Sequence, residues 1–425
     1  MVNMLKKLIE EPHSNERVSN FNILLKDLKA FVSVPFSISW YRSSESKKVF
    51  PLLLQELQDL NPDRIRLKKF LPGYNPFFKH LDYLQYYLYE ENGKPVGRIA
   101  SIIDRNYKEK KYQGRIGIIG LFEAETKEIG FKLLDEAIKD LKNEGCTKII
   151  GPMRFNASGE AGLLINGFEH TPMPMEPYNP PYYKEVFDEY GEKENDWYSF
   201  LIDEERASKY MERVTAVLNN SLNIEEKLRK EGIVIRDANL KDYANEIEKI
   251  RKIYNAAWDT IEHPQFEKFS DEEFNYIAAS LKQIAIPELI YIVEENGNAI
   301  GVSVTIPNIN EVIKEIDDKL FKKFYPHRSS FSLADTYRDI IIFREIMRRL
   351  KNKKFMSARI FILGLLKKRT GLDALLYKRT FDVGRSLGMK YASASQIADT
   401  NVDMTNPLMK MGTIGFTWRV YNIKY

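Results

Sequence analysis

A chain of 425 residues with a formal net charge of +4, 44% hydrophobic and 29% charged, has the composition of a globular protein large enough for more than one core. That balance excludes intrinsic disorder; the one cysteine, Cys146, excludes an internal disulfide framework, and no Cys/His cluster has zinc-ligand spacing, so no metal is expected. No apolar run is long enough to cross a bilayer and the opening MVNMLKKLIEEPHSNE lacks a signal-length apolar stretch, so a reducing, cytoplasmic location is expected.

In chain order, Asn22 to Tyr41 predicts a short helix and an extended piece, Pro51 to Leu60 an amphipathic helix, and NPFFKH (Asn75 to His80) a loop. Tyr83 to Ile103 alternates aromatic and β-branched residues around Asn92-Gly93, which supplies the positive φ angles of a tight hairpin at little cost. A strand at Ile116 to Glu123 leads to a helix with Ile129, Leu133, Leu134, Ala137 and Leu141 on one face, ended by Gly145, and then to a strand at Lys148 to Gly151. Glu123, at a strand end, is either a partly desolvated base or a solvated rim carboxylate. In MRFNASGEAGLL, Asn156, Ser158 and Glu160 line a pocket or cap the next segment. PYNPPYY (Pro177 to Tyr183) is held extended by its prolines; Tyr178, Asn179, Tyr182 and Tyr183 make it an acceptor wall, with Tyr182 a candidate catalytic hydroxyl, or a structural corner.

Asp203 to Glu231 reads as a helical linker. After it, the strand Ile233 to Arg236 and a helix at Tyr243 to Trp258 lead to the loop TIEHPQFEKFS, and Ser270 with Glu273 forms a capping box for a helix at Asp271 to Gln283. His263 in that loop, near Trp258 and Glu262, is a candidate base for an acceptor or an exposed loop histidine. The order then repeats. EENGKPVG at Glu90 to Gly97 returns as EENGNAIG at Glu294 to Gly301, and LLDEAIKDLKNEG at Leu133 to Gly145 corresponds to LLYKRTFDVGRSLG at Leu375 to Gly388. Two copies of one supersecondary order imply two domains of one fold. We expect α/β domains at 1–202 and 232–425, joined by the linker at 203–231, each with a mixed, mostly antiparallel sheet flanked by helices.

The second copy carries an insert at about 306–356. From Ile313 to Arg369 there are 16 Lys/Arg against 6 Asp/Glu, so the rest of the chain is net negative. Thr336 to Phe355 places Ile340, Phe343, Met347 and Leu350 on one helical face with Arg344, Arg348, Arg349, Lys351, Lys353 and Lys354 around it. Such a helix lies on an anionic membrane, docks an acidic partner such as an acyl carrier protein, or packs its apolar face inward. Past it, an apolar strand ends in Lys367, Lys368, Arg369, Thr370 and Gly371 before a helix, an arrangement that suits a phosphate at a helix N-terminus.

The repeated order, with the phrases NPFFKH, NGKPVGRIA, GPM (Gly151 to Met153), GLLINGF (Gly162 to Phe168) and PYNPPYY, resembles the GNAT superfamily of acyl-CoA-dependent N-acyltransferases in tandem, and is similar to a bacterial tandem-GNAT group. The resemblance implies acetyl-CoA or a longer acyl-CoA as donor and a small-molecule or peptide amine as acceptor. It assigns Phe361 to Leu365, with Leu363 and Leu365, to the strand that pairs with pantetheine, Lys367 to Gly371 to the pyrophosphate turn, and Asn401 to the asparagine of the next helix. Trp258 and His263 then fall where acceptors bind. Leu408 stands where many members have an acidic tyrosine. The turn of the first copy, Thr126 to Ile129, lacks a glycine before Gly130 and carries Glu125 and Glu128, which repel a pyrophosphate, so the donor is expected in the second copy. Two other functions share the fold: tRNA-dependent aminoacyl transfer of the Fem type, and non-catalytic binding of acyl-CoA or lipid.

Overall fold

The two EENG phrases make the same turn. In the computed structural model, Asn92 and Gly93 have φ of 51° and 73°, and Asn296 and Gly297 have 51° and 83°. Two consecutive positive φ angles match the twist of the flanking strands, which is why asparagine and glycine stand there. The structure describes residues 3–9, 21–62, 75–109, 112–155, 160–220, 224–260, 263–322, 332–367 and 369–424.

The first part of the chain runs β1 (Asn3–Lys7), α1 (Leu25–Ser37), α2 (Leu53–Asp59), β2 (Leu81–Glu91), β3 (Lys94–Asp104), β4 (Ile116–Ala124), α3 (Lys127–Asn143), β5 (Lys148–Gly151), β6 (Leu163–Asn166), α4 (Tyr183–Tyr190) and β7 (Gly191–Asp203). The remainder runs α5 (Glu204–Asn220), α6 (Ile224–Lys230), β8 (Ile233–Asp237), α7 (Tyr243–Trp258), α8 (Asp271–Lys282), β9 (Ile290–Glu295), β10 (Asn298–Pro307), α9 (Ile309–Ile316), α10 (Leu333–Lys351), β11 (Ser357–Leu365), α11 (Leu372–Ser386), β12 (Tyr391–Ala398), α12 (Val402–Met411) and β13 (Gly412–Ile423).

These elements form two compact units. The first comprises Met1–Asp196, Asn310–Arg344 and Phe416–Tyr425, and the second Trp197–Ile309 with Glu345–Gly415. The units are therefore not contiguous in sequence, unlike the expected domains at 1–202 and 232–425: much of the insert, and the last strand, group with the first unit. Strand pairing gives the reason. The end of β13 completes the first unit's sheet, with Tyr421 opposite Gly151 of β5, while the end of β7 lies along β12 in the second, with Asp203 opposite Tyr391. The segment expected as one linking helix is two, α5 and α6.

In the first unit the sheet order is β1-β2-β3-β4-β5-β13, antiparallel except for β4 and β5, with β6 beside β13. Helix α3 covers it with the face read from its periodicity: Ile129, Leu133, Leu134, Ala137 and Leu141 are all buried. In the second unit the order is β7-β12-β11-β10-β9-β8, again antiparallel except for one pair, β11 and β12. Leu372, Leu375 and Leu376 of α11 pack on that sheet with Ile233, Tyr291 and Val293. The capping box of Ser270 and Glu273 starts α8 as its residues require. Among the described residues, no helix is long and apolar enough to cross a membrane.

Candidate active site in the second unit

A parallel strand pair that separates part-way along exposes backbone groups no neighbour satisfies. In the second unit, β12 pairs with β11 only as far as Ile360↔Ala394, although β11 continues to Leu365. Its other edge pairs with β10 from Ala358 to Leu365, with a bulge at Phe361. The stretch Phe361–Leu365 thus offers one edge to an extended ligand. It ends at the turn before α11, where Gly371 has φ 80° and caps the helix. That conformation is cheap for glycine and places the first amides of α11 at the end of the β11 edge. Leu363 and Leu365 pack against the core on this strand, while Lys367, Arg369 and Thr370 are exposed in the turn. Lys367 and Arg369 both pair with Glu295, whose carboxyl they hold below the usual range, Lys367 foremost. Lys368 lies outside the described residues.

Beside this edge stands His263. Helix α7 delivers Trp258, which stacks on Tyr254 with centroids 4.6 Å apart and reaches β11, where a Cβ on Gly364 would lie 2.4 Å from its Cζ3. Glycine at 364 is what lets an indole lie against the strand. The following loop is tied to α7 by Asn255, which donates to the Phe269 carbonyl at 2.8 Å and accepts from its N–H at 3.0 Å. Within the loop, the His263 ring lies 5.5 Å from Trp258, its Nδ1 is 3.0 Å from Thr260 Oγ1, and its Nε2 is 3.3 Å from Asn401 Nδ2. Asn401 caps α12 by accepting the Met404 N–H on Oδ1 at 3.2 Å. That bond turns the amide nitrogen toward the histidine, so Nε2 accepts and Nδ1 carries the proton, which it gives to Thr260. The imidazole is therefore held in the tautomer with a basic nitrogen toward Asn401. Trp258, His263 and Asn401, expected from the sequence, are brought together; Thr260 and Gly364 were not singled out, and only the nearness of Thr260 to His263 could have pointed to it. Glu262 lies outside the described residues.

Below the strands, a cavity of about 80 Å³ opens beside α5 and α11. Its lining is mainly hydrocarbon, including Ile360 and Leu363 of β11, Tyr377 and Phe381 of α11, and Ala392 of β12.

In the first unit the corresponding edge is filled. Pairing of β4 with β5 ends at Ile118↔Ile150, but the Met153 N–H then bonds the Ile119 carbonyl at 3.0 Å. At the strand end, the Ala124 N–H donates to Tyr183 Oη at 2.6 Å, and Tyr182 Oη donates to the carbonyls of Ala124 and Glu125. Glu125 accepts from the Ser39 N–H at 2.7 Å and from its hydroxyl. Glu123 is buried and accepts from Tyr41 at 2.7 Å and Tyr183 at 3.0 Å, with Lys48 Nζ 3.7 Å away. Burial, and next the Glu123 charge, pushes both phenols well above their ordinary values, so they remain donors to it. Replacing Glu123 by glutamine is expected to cost about 1–3 kcal/mol of stability, read as a lower urea midpoint, because a neutral amide accepts the two phenol hydrogen bonds more weakly and loses the charge that faces Lys48.

The other first-unit candidates are bonded to their own chain. Tyr178 Oη donates to the Phe168 carbonyl at 2.7 Å, Asn179 exchanges two bonds with the Leu164 backbone, and the Glu160 carbonyl accepts from Arg154. Asn156 and Ser158 lie outside the described residues. Lys48 and Tyr41, which reach Glu123 from about 80 residues away, had no local signal. Burial pushes the Cys146 thiol up to about 11, leaving it a packed side chain rather than a nucleophile.

One parallel pair in an otherwise antiparallel sheet, followed by a helix across the sheet, occurs in each unit. That arrangement is what the sequence resemblance to tandem GNAT proteins implies. No family model matches it. The chain is 28% identical over 410 residues to the "Bacterial ceramide synthase" of Caulobacter vibrioides, covering 93% of this chain and 94% of that protein. It is 27% identical over 394 residues to "Protein YghO" of Escherichia coli, covering 91% and 90%. Among solved structures, a tandem GNAT protein from the clavulanic acid biosynthesis pathway matches with a TM-score of 0.47 at 9% identity, covering 99% of this chain and 98% of that one.

Proposed function

We propose that the protein is an N-acyltransferase that moves an acyl group from a coenzyme A thioester to a primary amine, with the donor in the second unit. The open edge of β11 leading into the Gly371 terminus of α11 carries this reading, since it suits an extended amide-bearing arm that ends in phosphates. The filled edge of β4 in the first unit supports it by contrast.

In the reaction, the acceptor nitrogen attacks the thioester carbonyl, a C–N bond forms and the C–S bond breaks. His263 Nε2 takes the proton lost by the amine once the acceptor displaces the Asn401 amide from it. Leu408 is fully buried hydrocarbon and offers no proton, so the departing thiolate is protonated by water. Positioning and backbone N–H groups supply the remainder of the rate. Ceramide is the amide of a fatty acid with a long-chain amino alcohol. By likeness to the Caulobacter relative, the donor here is a long-chain acyl-CoA and the acceptor a long-chain amino alcohol; the apolar cavity beside Leu363 supports an aliphatic substrate. A cytoplasmic setting, where acyl-CoA is made, fits a chain with one cysteine.

Calorimetric titration with acetyl-, octanoyl- and longer acyl-CoAs tests the donor. Binding is expected to strengthen with chain length, and Lys367→Glu/Arg369→Glu is expected to weaken it about tenfold by placing like charge at the phosphates. Absence of heat with every acyl-CoA would sink the donor assignment. Mass spectrometry of the mixture with sphinganine as acceptor then reads amide formation.

A further inference from the structure

Helix α10 packs inward through Ile342 and Ile346 together with a row of polar side chains, and leaves a second apolar row on its outer face. Asp335, Arg338 and Asp339 are buried, with Arg338 wholly inaccessible. Arg338 forks onto Asp317 at 2.6 and 2.7 Å, reaches Asp339 at 2.9 Å, and donates to the carbonyls of Phe50 and Pro51 at 3.1 and 3.0 Å. On the opposite face, Leu333, Tyr337, Ile340, Phe343 and Met347 are 89%, 62%, 48%, 46% and 42% exposed. Their spacing of four, three, three and four residues makes one continuous stripe. Arg344, four residues after Ile340, is exposed within the stripe, and Lys351, four after Met347, is exposed just past its apolar part. The face of Ile340, Phe343 and Met347 is thus not the one the helix packs inward; that face carries Ile342 and Ile346.

Water is a poor partner for five large apolar side chains in one stripe, and a protein core is ruled out by their exposure. We propose that α10 lies flat on an anionic lipid bilayer, with Leu333, Tyr337, Ile340, Phe343 and Met347 in the headgroup–acyl boundary and Arg344 and Lys351 on lipid phosphates. Charge decides between a membrane and a second copy of the chain. Cations set within the stripe itself would repel their own images across a two-fold apolar interface, whereas an anionic surface pairs with all of them. The stripe from Leu333 to Met347 is about 21 Å long, which suits lying in the surface plane. The buried ion cluster fixes the helix orientation, so the stripe cannot roll inward without separating Arg338 from Asp317. This inference does not depend on the reaction proposed above.

Flotation of the full chain with phosphatidylcholine vesicles, with and without phosphatidylglycerol, tests it. The chain is expected to float with the anionic vesicles and to be released by salt. Ile340→Glu/Phe343→Glu and Arg344→Glu/Lys351→Glu should each reduce the floated fraction at least ~10-fold. Both pairs are exposed, and far-UV circular dichroism establishes that the variants fold. Three results would overturn the proposal: no flotation of the wild type on either vesicle, unchanged flotation of both variants, or a dimer by light scattering that Ile340→Glu/Phe343→Glu dissolves while vesicles bind nothing.

Discussion

His263→Ala is expected to lower kcat for amide formation by about 10²–10⁴-fold, the range a positioned general base contributes. Acyl-CoA affinity should stay within about twofold, because the β11 edge and the Gly371 turn, not the imidazole, hold the donor in the proposed arrangement. A sharper variant is Asn401→Asp. Its carboxylate can still cap α12 by accepting the Met404 N–H, so the fold is retained. It cannot donate to His263, however, and instead attracts a proton to Nε2, which removes the basic nitrogen while leaving the ring in place. A loss of kcat close to that of His263→Ala, with unchanged donor binding, is the expected result. Steady-state rates at saturating donor and acceptor, with calorimetry for the donor alone, measure both. Full activity in Asn401→Asp would show that the orientation of His263 does not matter and would remove it from the reaction.

How far the sequence reaches is visible in these residues. The hairpins, α3, α7 and the capping box of α8 were legible because each depends on neighbours within a few residues: Asn-Gly needs only its own φ angles, and Ser270 needs only Glu273. The repeat made the fold legible, since two copies of one order report a topology that neither shows alone. Trp258, His263 and Asn401 could be named as candidates, but not their mutual geometry, which depends on contacts 138 residues apart. For the first-unit tyrosines the sequence leaves an acceptor wall and a structural corner both open, because it shows which side chains can hydrogen-bond and not what has already claimed them. Tyr182 and Tyr183 bond the end of β4, and Asn179 bonds Leu164. The division into units was the least legible feature. Which sheet receives the ends of β7 and β13 is a matter of long-range pairing, and alternation within a strand is the same whichever neighbour it finds.

Arg338→Met is expected to destabilise the first unit by about 3–5 kcal/mol, the cost of leaving a buried charge without its partner. Methionine matches much of the arginine stem, so the cavity term is small and the loss is mainly electrostatic: Asp317 and Asp339 stay buried with no cation, and the carbonyls of Phe50 and Pro51 lose their donor. The loss has a pH signature. Burial already raises the Asp339 carboxyl above its ordinary value, against the lowering effect of Arg338, and removing the arginine raises it further. A carboxyl whose folded pKa exceeds its unfolded one binds more protons when folded, so stability improves as pH falls toward that folded value. The deficit of Arg338→Met should therefore be largest at neutral pH and shrink under mild acid, as read from urea midpoints across that range. Arg338→Met/Asp317→Leu should recover part of the loss by removing one stranded charge. A deficit independent of pH, with no recovery in the double variant, would mean that Arg338 acts through packing alone. The ion cluster would then no longer explain why α10 presents its apolar stripe to the outside.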